Sequence, residues 1–104
     1  MMTSAITNQM LCINLSGDFD ALAVEELRNE FDSLSEQQQD IVIDMQNVEF
    51  IDSSGIGAIV FLFKRLRSQD LHMSITGVHG QPLELMRYLR IDKCISLFEP
   101  QTES

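Results

Sequence analysis

Basic residues are scarce in this chain of 104 residues, which has seven Lys and Arg against sixteen Asp and Glu and a formal net charge of −9. A protein that binds nucleic acid needs a basic face that neutralises phosphates, so we expect no nucleic-acid partner. An anionic membrane surface is disfavoured for the same electrostatic reason. The charge is also uneven, because residues 1–53 contain eleven acidic residues and one basic residue. An acidic surface of this kind either steers a basic partner or simply keeps the domain soluble.

Long apolar runs, histidines and paired cysteines are scarce as well. The longest uninterrupted apolar run covers residues 56–63, far fewer than the ~20 that cross a membrane, and the N-terminus has no signal-peptide pattern. Cys12 and Cys94 lack CxxC spacing, which favours free thiols in a reducing cytoplasm. His72 and His79 have no neighbouring motif for a metal site or a catalytic triad. We therefore expect a cytoplasmic protein that is not an enzyme, does not insert into membranes and holds no metal or cofactor.

Prolines occur only at positions 82 and 100, and no linker, repeat or low-complexity segment interrupts the chain. The hydrophobic period switches repeatedly between two residues and 3.6 residues. The period of two predicts strands over residues 10–16, 71–75 and 95–98, and a short β-branched run predicts another at 41–43. An N-terminal strand at residues 3–6 is expected to pair with residues 10–16 as a hairpin. The helical period predicts helices that include residues 24–34, 56–66 and 82–89. Strands that alternate with helices predict one α/β domain over residues 1–104, with a mixed, mostly parallel sheet of four to five strands and helices packed on it. We expect the core over about residues 10–98 and a flexible tail at residues 101–104.

Three local patterns refine this picture. The β-branched run at residues 41–43 is typical of a strand that is covered on both faces. The third helix is expected to begin at Pro82, a residue that is tolerated in a first turn. In the second helix, Phe61 and Leu62 lie outside the apolar stripe formed by Ile56, Ile59, Val60, Phe63 and Leu66. Such a helix is either deeply buried or keeps one face for a partner.

Small polar residues are concentrated where the second helix begins, in the run Asp52-Ser53-Ser54-Gly55. One interpretation is capping, because Asp and Ser oxygens accept hydrogen bonds from the free amides of the first turn. The other is a phosphorylation site. A serine hydroxyl at a helix N-terminus is exposed beside free amides and the positive end of the helix dipole, where a phosphate is stabilised and can be read by a partner.

The run from Asp44 to Gly57 resembles the signature loop of the anti-sigma factor antagonist (STAS) family. That loop has an acidic strand end, a short loop, an apolar pair and then Asp-Ser-Ser/Thr-Gly-hydrophobic-Gly. Residues 16–20 are similar to the family's Gly-x-hydrophobic-Asp segment before the first helix, and the likeness in pattern extends over about residues 10–98. Arg90 departs from the family, since many relatives have a glycine at the end of the third helix.

The resemblance implies a STAS-like domain that acts as a partner switch. In such families the unphosphorylated antagonist binds an anti-sigma factor, often a serine kinase, and thereby frees a sigma factor. The kinase phosphorylates the serine after the motif's aspartate, and a PP2C-type phosphatase restores binding. Carried over by position, the phosphate acceptor is Ser53. The residues that the resemblance places on the partner-binding surface are Asp20, Asp52, Ser54 and Gly55.

Two alternatives remain open on the sequence. STAS-like domains also act as scaffold subunits on the cytoplasmic ATPase of lipid transporters, or regulate non-sigma targets such as biofilm pathways. A response-regulator receiver has a similar size and fold class, and Asp44 stands where its acceptor would be. However, Asp18 and Asp20 only loosely match the acidic pair that it needs for Mg²⁺, and Lys93 precedes the last strand instead of ending it.

Overall fold

The segments with alternating apolar residues form one five-stranded sheet, and the segments with helical spacing form three α-helices. The computed structural model describes residues 2–7 and 10–100. The predicted tail at residues 101–104 lies outside the described residues. In chain order the elements are β1 (Met2–Thr7), β2 (Met10–Ser16), α1 (Ala21–Leu34), β3 (Asp40–Asn47), α2 (Ser53–Arg67), β4 (Met73–Thr76), α3 (Gly80–Tyr88), a 3₁₀ turn (Ile91–Lys93) and β5 (Ser96–Phe98).

The sheet is mixed and mostly parallel, as the sequence predicts. Its strand order is β1-β2-β3-β4-β5. The first two strands form an antiparallel hairpin, and β2 through β5 pair in parallel. The strands β4 and β5 begin one or two residues later than the periodicity predicts, while β3 is longer than the apolar run at 41–43. The predicted fold class is therefore confirmed.

All three helices cover the same face of the sheet. Parallel crossovers are right-handed, and the order from β2 to β5 never reverses, so each connecting helix returns on one side. On that side the strand residues are fully buried, and they form one cluster with the helices. The strand residues of this cluster are Leu11, Ile13, Leu15, Ile41, Ile43, Met45, Met73 and Ile75.

The opposite face of the sheet is open, so the prediction that residues 41–43 are covered on both faces is wrong. Val42 and Cys12, which pair across β2 and β3, are only half-buried. Further along this face, Asn14 is exposed and Asp44 is half-buried. Parallel strands are usually covered on both sides because their crossover helices flank the sheet. Here the strand order puts every helix on one side, and short polar residues make the other side compatible with water.

The two off-stripe residues of α2 have different environments. Leu62 belongs to the core and is 2% exposed, whereas Phe61 is 56% exposed and lies under the Arg65 guanidinium at 5.5 Å. Two residues that the stripe assigns to the core, Val60 and Phe63, are only half-buried. The buried direction of α2 is thus rotated towards Leu62 from the direction that the stripe predicts.

The third helix begins two residues earlier than predicted, at Gly80, with His79 as its N-cap residue. Pro82 lies in its first turn, where the missing N–H would have no intrahelical partner, so the helix can begin upstream of the proline. Leu89 follows the helix as its C-cap residue and is 47% exposed, so it is not a core residue. Arg90 then has a φ of 62°, in the left-handed region. The chain makes the turn that a glycine favours, but with an arginine.

Candidate functional site

The helices α1 and α2 begin side by side at one edge of the sheet. Beyond the ends of β2 and β3, two segments continue in parallel, with hydrogen bonds from the Gly17 amide to the Asn47 carbonyl at 3.0 Å and from the Phe19 amide to the Phe50 carbonyl at 2.9 Å. An isolated parallel bridge also joins Phe19 to Ile51. Because the carboxyl ends of parallel strands meet at one edge, the two helix starts that follow them are brought together.

Asp20 and Asp52 cap these two helices in the same way. Asp20 has φ and ψ of −110° and −172°, and Asp52 has −111° and −173°. The Ala23 amide donates to Asp20 Oδ1 at 3.0 Å, and the Gly55 amide donates to Asp52 Oδ1 at 3.0 Å. Asp is a preferred N-cap residue for this reason. The capping interpretation of Asp52 is therefore correct, and it leaves the role of the following serine open.

Asp52 also joins the two helices to each other. Its second carboxylate oxygen, Oδ2, accepts a hydrogen bond from the Ala21 amide at 3.1 Å, across 31 positions of sequence. One carboxylate thus serves the first turns of both α1 and α2. The sequence gives no signal for this second bond, because it depends on the pairing of two distant segments.

The three residues after Asp52 differ in exposure. Ser53 is the first residue of α2 and is exposed, Ser54 is half-buried and Gly55 is buried. A Cβ on Gly55 would lie 2.2 Å from the Phe19 carbonyl oxygen and 2.6 Å from Ile51 Cγ1. Gly55 therefore lets α2 approach the Phe19 backbone closely. Its assignment to the partner-binding surface remains a prediction, as do those of its neighbours.

The loop that leads into α2 is held by side chains from the next crossover. The Ile51 amide donates to Gln81 Oε1 and the Ile51 carbonyl accepts from Gln81 Nε2, both at 2.9 Å. His79 Nε2 lies 2.8 Å from the Gln46 carbonyl oxygen, and the Gln46 amide donates to Asp44 Oδ1 at 2.9 Å. Sequence reasoning missed Gln81, because a glutamine in a first helical turn has no distinguishing pattern. This clamp ties the loop that precedes Ser53 to the start of α3.

The edge of the sheet that carries Asp20 and Asp52 is called the acidic edge below. Two apolar side chains lie close to these aspartates in the sequence. Leu22 is 67% exposed and Phe50 is 43% exposed, and each lies two residues from a capping aspartate. Leu22 is recognisable in the sequence, since it lies outside the stripe of α1 that begins at Val24. Arg28, the only basic residue of the first half, forms its hydrogen-bonded ion pair with Glu25, whose carboxylate lies 2.6 Å from the guanidinium. That hydrogen bond raises the pKa of Arg28.

Neither the histidines nor the cysteines form a chemical site among residues 2–7 and 10–100. Within these ranges, no group of three or more His, Cys, Asp and Glu side chains could hold a metal ion. Cys12 is half-buried, Cys94 is exposed, and both thiols are free. No helix in the described part of the chain has the length and hydropathy to span a membrane.

Comparisons with known proteins agree with this geometry. The anti-sigma-B factor antagonist of Bacillus subtilis (strain 168) is 33% identical over 73 residues, which are 70% of this chain and 67% of that protein. The anti-sigma F factor antagonist of Paenibacillus polymyxa is 24% identical over 97 residues, or 91% and 83% of the two chains. A solved structure described as the Bacillus cell fate determinant SpoIIAA in the phosphorylated form has a TM-score of 0.75 at 19% identity, over 99% of this chain and 93% of that chain. The family model described as the STAS domain matches residues 2–103, and the chain therefore belongs to the STAS domain family.

Proposed function

We propose that this chain is an anti-sigma factor antagonist that works by phosphorylation-controlled partner switching. In the unphosphorylated form it binds an anti-sigma factor with serine kinase activity and thereby releases a sigma factor. Phosphorylation of Ser53 blocks this binding, and a PP2C-type phosphatase restores it. The chain acts in the cytoplasm by binding and not by catalysis. Its similarity to two proteins named as anti-sigma factor antagonists supports this proposal.

The observation that carries the proposal is the exposed side chain of Ser53 at the first position of α2. A kinase must reach the hydroxyl without unfolding the domain, and this position allows it. Ser54 is half-buried and is therefore the less accessible of the two adjacent serines. The related SpoIIAA has been solved in a phosphorylated form, which is consistent with phosphate chemistry on this fold.

The charges around Ser53 explain how a phosphate would change binding. Phosphorylation adds about −1.5 to −2 charges directly after Asp52, whose carboxylate also contacts the first turn of α1. The positive end of the α2 dipole stabilises an anion there, so the fold is retained. A partner that docks on this edge, in contrast, meets a larger hydrated dianion where a small neutral hydroxyl was. The expected effect is loss of binding without loss of structure.

The surface next to Ser53 indicates what the partner looks like. Leu22 and Phe50 provide exposed apolar contacts, and the exposed Asp18 and Glu49 add negative charge to the same two segments. Aromatic and aliphatic side chains of this kind serve as anchors in protein interfaces. Complementary charge speeds association and selects the partner. We therefore expect the anti-sigma factor to present a basic surface with an apolar pocket.

Phosphate labelling tests the site. The purified chain is incubated with its cognate serine kinase and ATP, and its intact mass is measured. We expect one added phosphate on the wild type, one on Ser54→Ala and none on Ser53→Ala. Labelling of Ser53→Ala but not of Ser54→Ala would move the site to Ser54. No labelling of any variant would favour the alternative, a scaffold or regulatory subunit of a non-sigma system.

Binding measurements test the switch. By calorimetry with the purified anti-sigma factor, Ser53→Ala should bind like the unphosphorylated wild type, because a methyl group leaves the surface small and neutral. The phosphorylated wild type should bind at least about tenfold more weakly, a loss of ~1.4 kcal/mol. Ser53→Asp should fall between them, because one carboxylate imitates a phosphate dianion poorly. Equal affinity of Ser53→Ala and the phosphorylated protein would contradict the switch.

A further inference from the structure

A second surface, which extends along α2 away from the acidic edge, has the opposite charge. It is a groove of about 400 Å³ between α2 and the segment that includes the 3₁₀ turn. Its rim carries Lys64 and Arg67 from α2 and Arg90 from the turn after α3, and all three are exposed. None of the described residues that line the groove is acidic. Its apolar lining consists of Ile56, Val60, Phe63, Leu89, Ile91 and Ile95.

The backbone at Arg90 places its side chain at this groove. Its φ of 62° is in the left-handed region, where a side chain is strained and glycine is not. Gln38 and Asp70 share this conformation, and of the three only Arg90 lines the groove. Here the strain holds a guanidinium at the rim of an apolar groove. Glycine would relieve the strain but would remove one of the three cations.

We propose that this groove binds an amphipathic helix with acidic flanks from a partner protein. The residues of α2 that line it run from Ile56 to Arg67, so the groove extends about 16 Å along the helix axis, which matches three turns of a partner helix. Helices bind such grooves through apolar anchors at i, i+4 and i+7. The cationic rim selects acidic flanks. A second copy of this chain offers no such stripe, because the acidic helix α1 packs its apolar stripe against its own core and leaves only single apolar side chains such as Leu22 exposed.

The cationic rim of the groove lies far from Ser53, although the apolar lining begins at Ile56, one turn beyond it. Lys64 lies eleven residues beyond Ser53 on α2, or about 16 Å along the axis, which is twice the screening length of about 8 Å at physiological salt. A charge on Ser53 should therefore not change the contribution of Lys64 to binding. The chain would then carry two docking surfaces of opposite sign, and the failure of one proposal would leave the other standing.

A designed peptide tests the groove. The probe is a fluorescent helical peptide with leucines at i, i+4 and i+7 and glutamates on both flanks, and the control peptide has lysine in place of every glutamate. The net charge of −9 favours the lysine peptide overall, so preferential binding of the glutamate peptide would be specific to the cationic rim. The exposed thiol of Cys94 lines the groove and reports where the peptide lies. The glutamate peptide should slow alkylation of Cys94, and the lysine peptide should not.

Variants separate binding from folding. Arg90→Gly should raise the Tm, because glycine is relaxed at this φ, and yet weaken binding of the glutamate peptide about two- to fivefold, as expected for one exposed charge pair. Adding Lys64→Gln and Arg67→Gln should weaken it further. The matched control Arg87→Gln removes an exposed charge that does not line the groove.

Four results would overturn the proposal. The first is unchanged affinity of Arg90→Gly for the glutamate peptide. The second is alkylation of Cys94 at the same rate with and without the glutamate peptide, up to the solubility limit of the peptide. The third is concentration-dependent self-association that Arg90→Gly abolishes, which would make a second copy the occupant. The fourth is protection of Cys94 by phosphatidylglycerol vesicles but not by the peptide, which would assign the groove to lipid.

Discussion

Replacing Gly55 with alanine should destabilise the domain, although alanine is the better helix former. The new Cβ would lie 2.2 Å from the Phe19 carbonyl oxygen, where ordinary contacts begin at 3.4 Å, so α2 would have to withdraw by more than an ångström. Overpacking of this kind costs about 1–3 kcal/mol, against a gain of up to about 1 kcal/mol in helix propensity. The atom that the new Cβ would meet belongs to the backbone, so it cannot move away by a side-chain rotation. We therefore expect an overpacking cost near the top of that range, about 3 kcal/mol. After the gain in helix propensity the net loss is about 2 kcal/mol, which lowers the Tm by roughly 8–16 °C.

Gly57, two residues further along α2, provides the matched control. A Cβ there would meet nothing within 4 Å, so Gly57→Ala should stabilise the domain by about 0.4–1 kcal/mol. The chain has no tryptophan, so urea unfolding is best followed by far-UV circular dichroism, with unchanged m-values as the sign that stability alone has changed. If Gly55→Ala raised the unfolding midpoint as Gly57→Ala does, the close approach of α2 to Phe19 would be refuted.

Two further predictions concern the residues that hold the edge together. Asp52→Ala should lower the free energy of unfolding in urea more than Asp20→Ala does. Each variant loses one cap, which is worth about 0.5–2 kcal/mol, but Asp52 also accepts a hydrogen bond from the Ala21 amide. Equal losses would argue against that second bond. Gln81→Leu should cost about 1–3 kcal/mol, because it leaves both backbone groups of the buried Ile51 without their partner. Faster hydrogen exchange at the Ile51 amide should accompany it, and unchanged exchange there would contradict the clamp.

The extent to which the sequence predicts the site depends on how local the interactions are. The start of α2 is predictable because Asp52 bonds the Gly55 amide three residues away, and the residue types at a cap follow from that geometry. The bond from Asp52 to Ala21 and the clamp from Gln81 to Ile51 span 31 and 30 positions, and nothing in the local pattern encodes them.

The same limit applies to the layers of the fold. Periodicity predicts the strands and helices, but which faces they cover depends on the strand order. A β-branched run such as residues 41–43 fits a strand covered on both sides or on one. The strand order decides between the two, because it never reverses from β2 to β5 and so places all the helices on one side of the sheet. Val42 is therefore half-buried on the open face. Phe61 and Leu62 also look equivalent in the sequence, and only the tilt of α2 on the sheet buries Leu62 and exposes Phe61.

Ser53 would be suited to a switch because, among the described residues, the contacts that stabilise the edge of the sheet do not involve its side chain. The bonds that hold the edge together run through Asp52 and Gln81, whereas Ser53 contributes an exposed side chain to the surface. A negative charge at the first turn of a helix is worth about +0.3–1 kcal/mol of stability, so a phosphate there does not oppose folding. The cost of desolvating and accommodating the larger dianion falls on the contact with the partner, and each ~1.4 kcal/mol of it lowers affinity tenfold. Phosphorylation of Ser53, as proposed, would thus weaken partner binding while the domain itself stays folded.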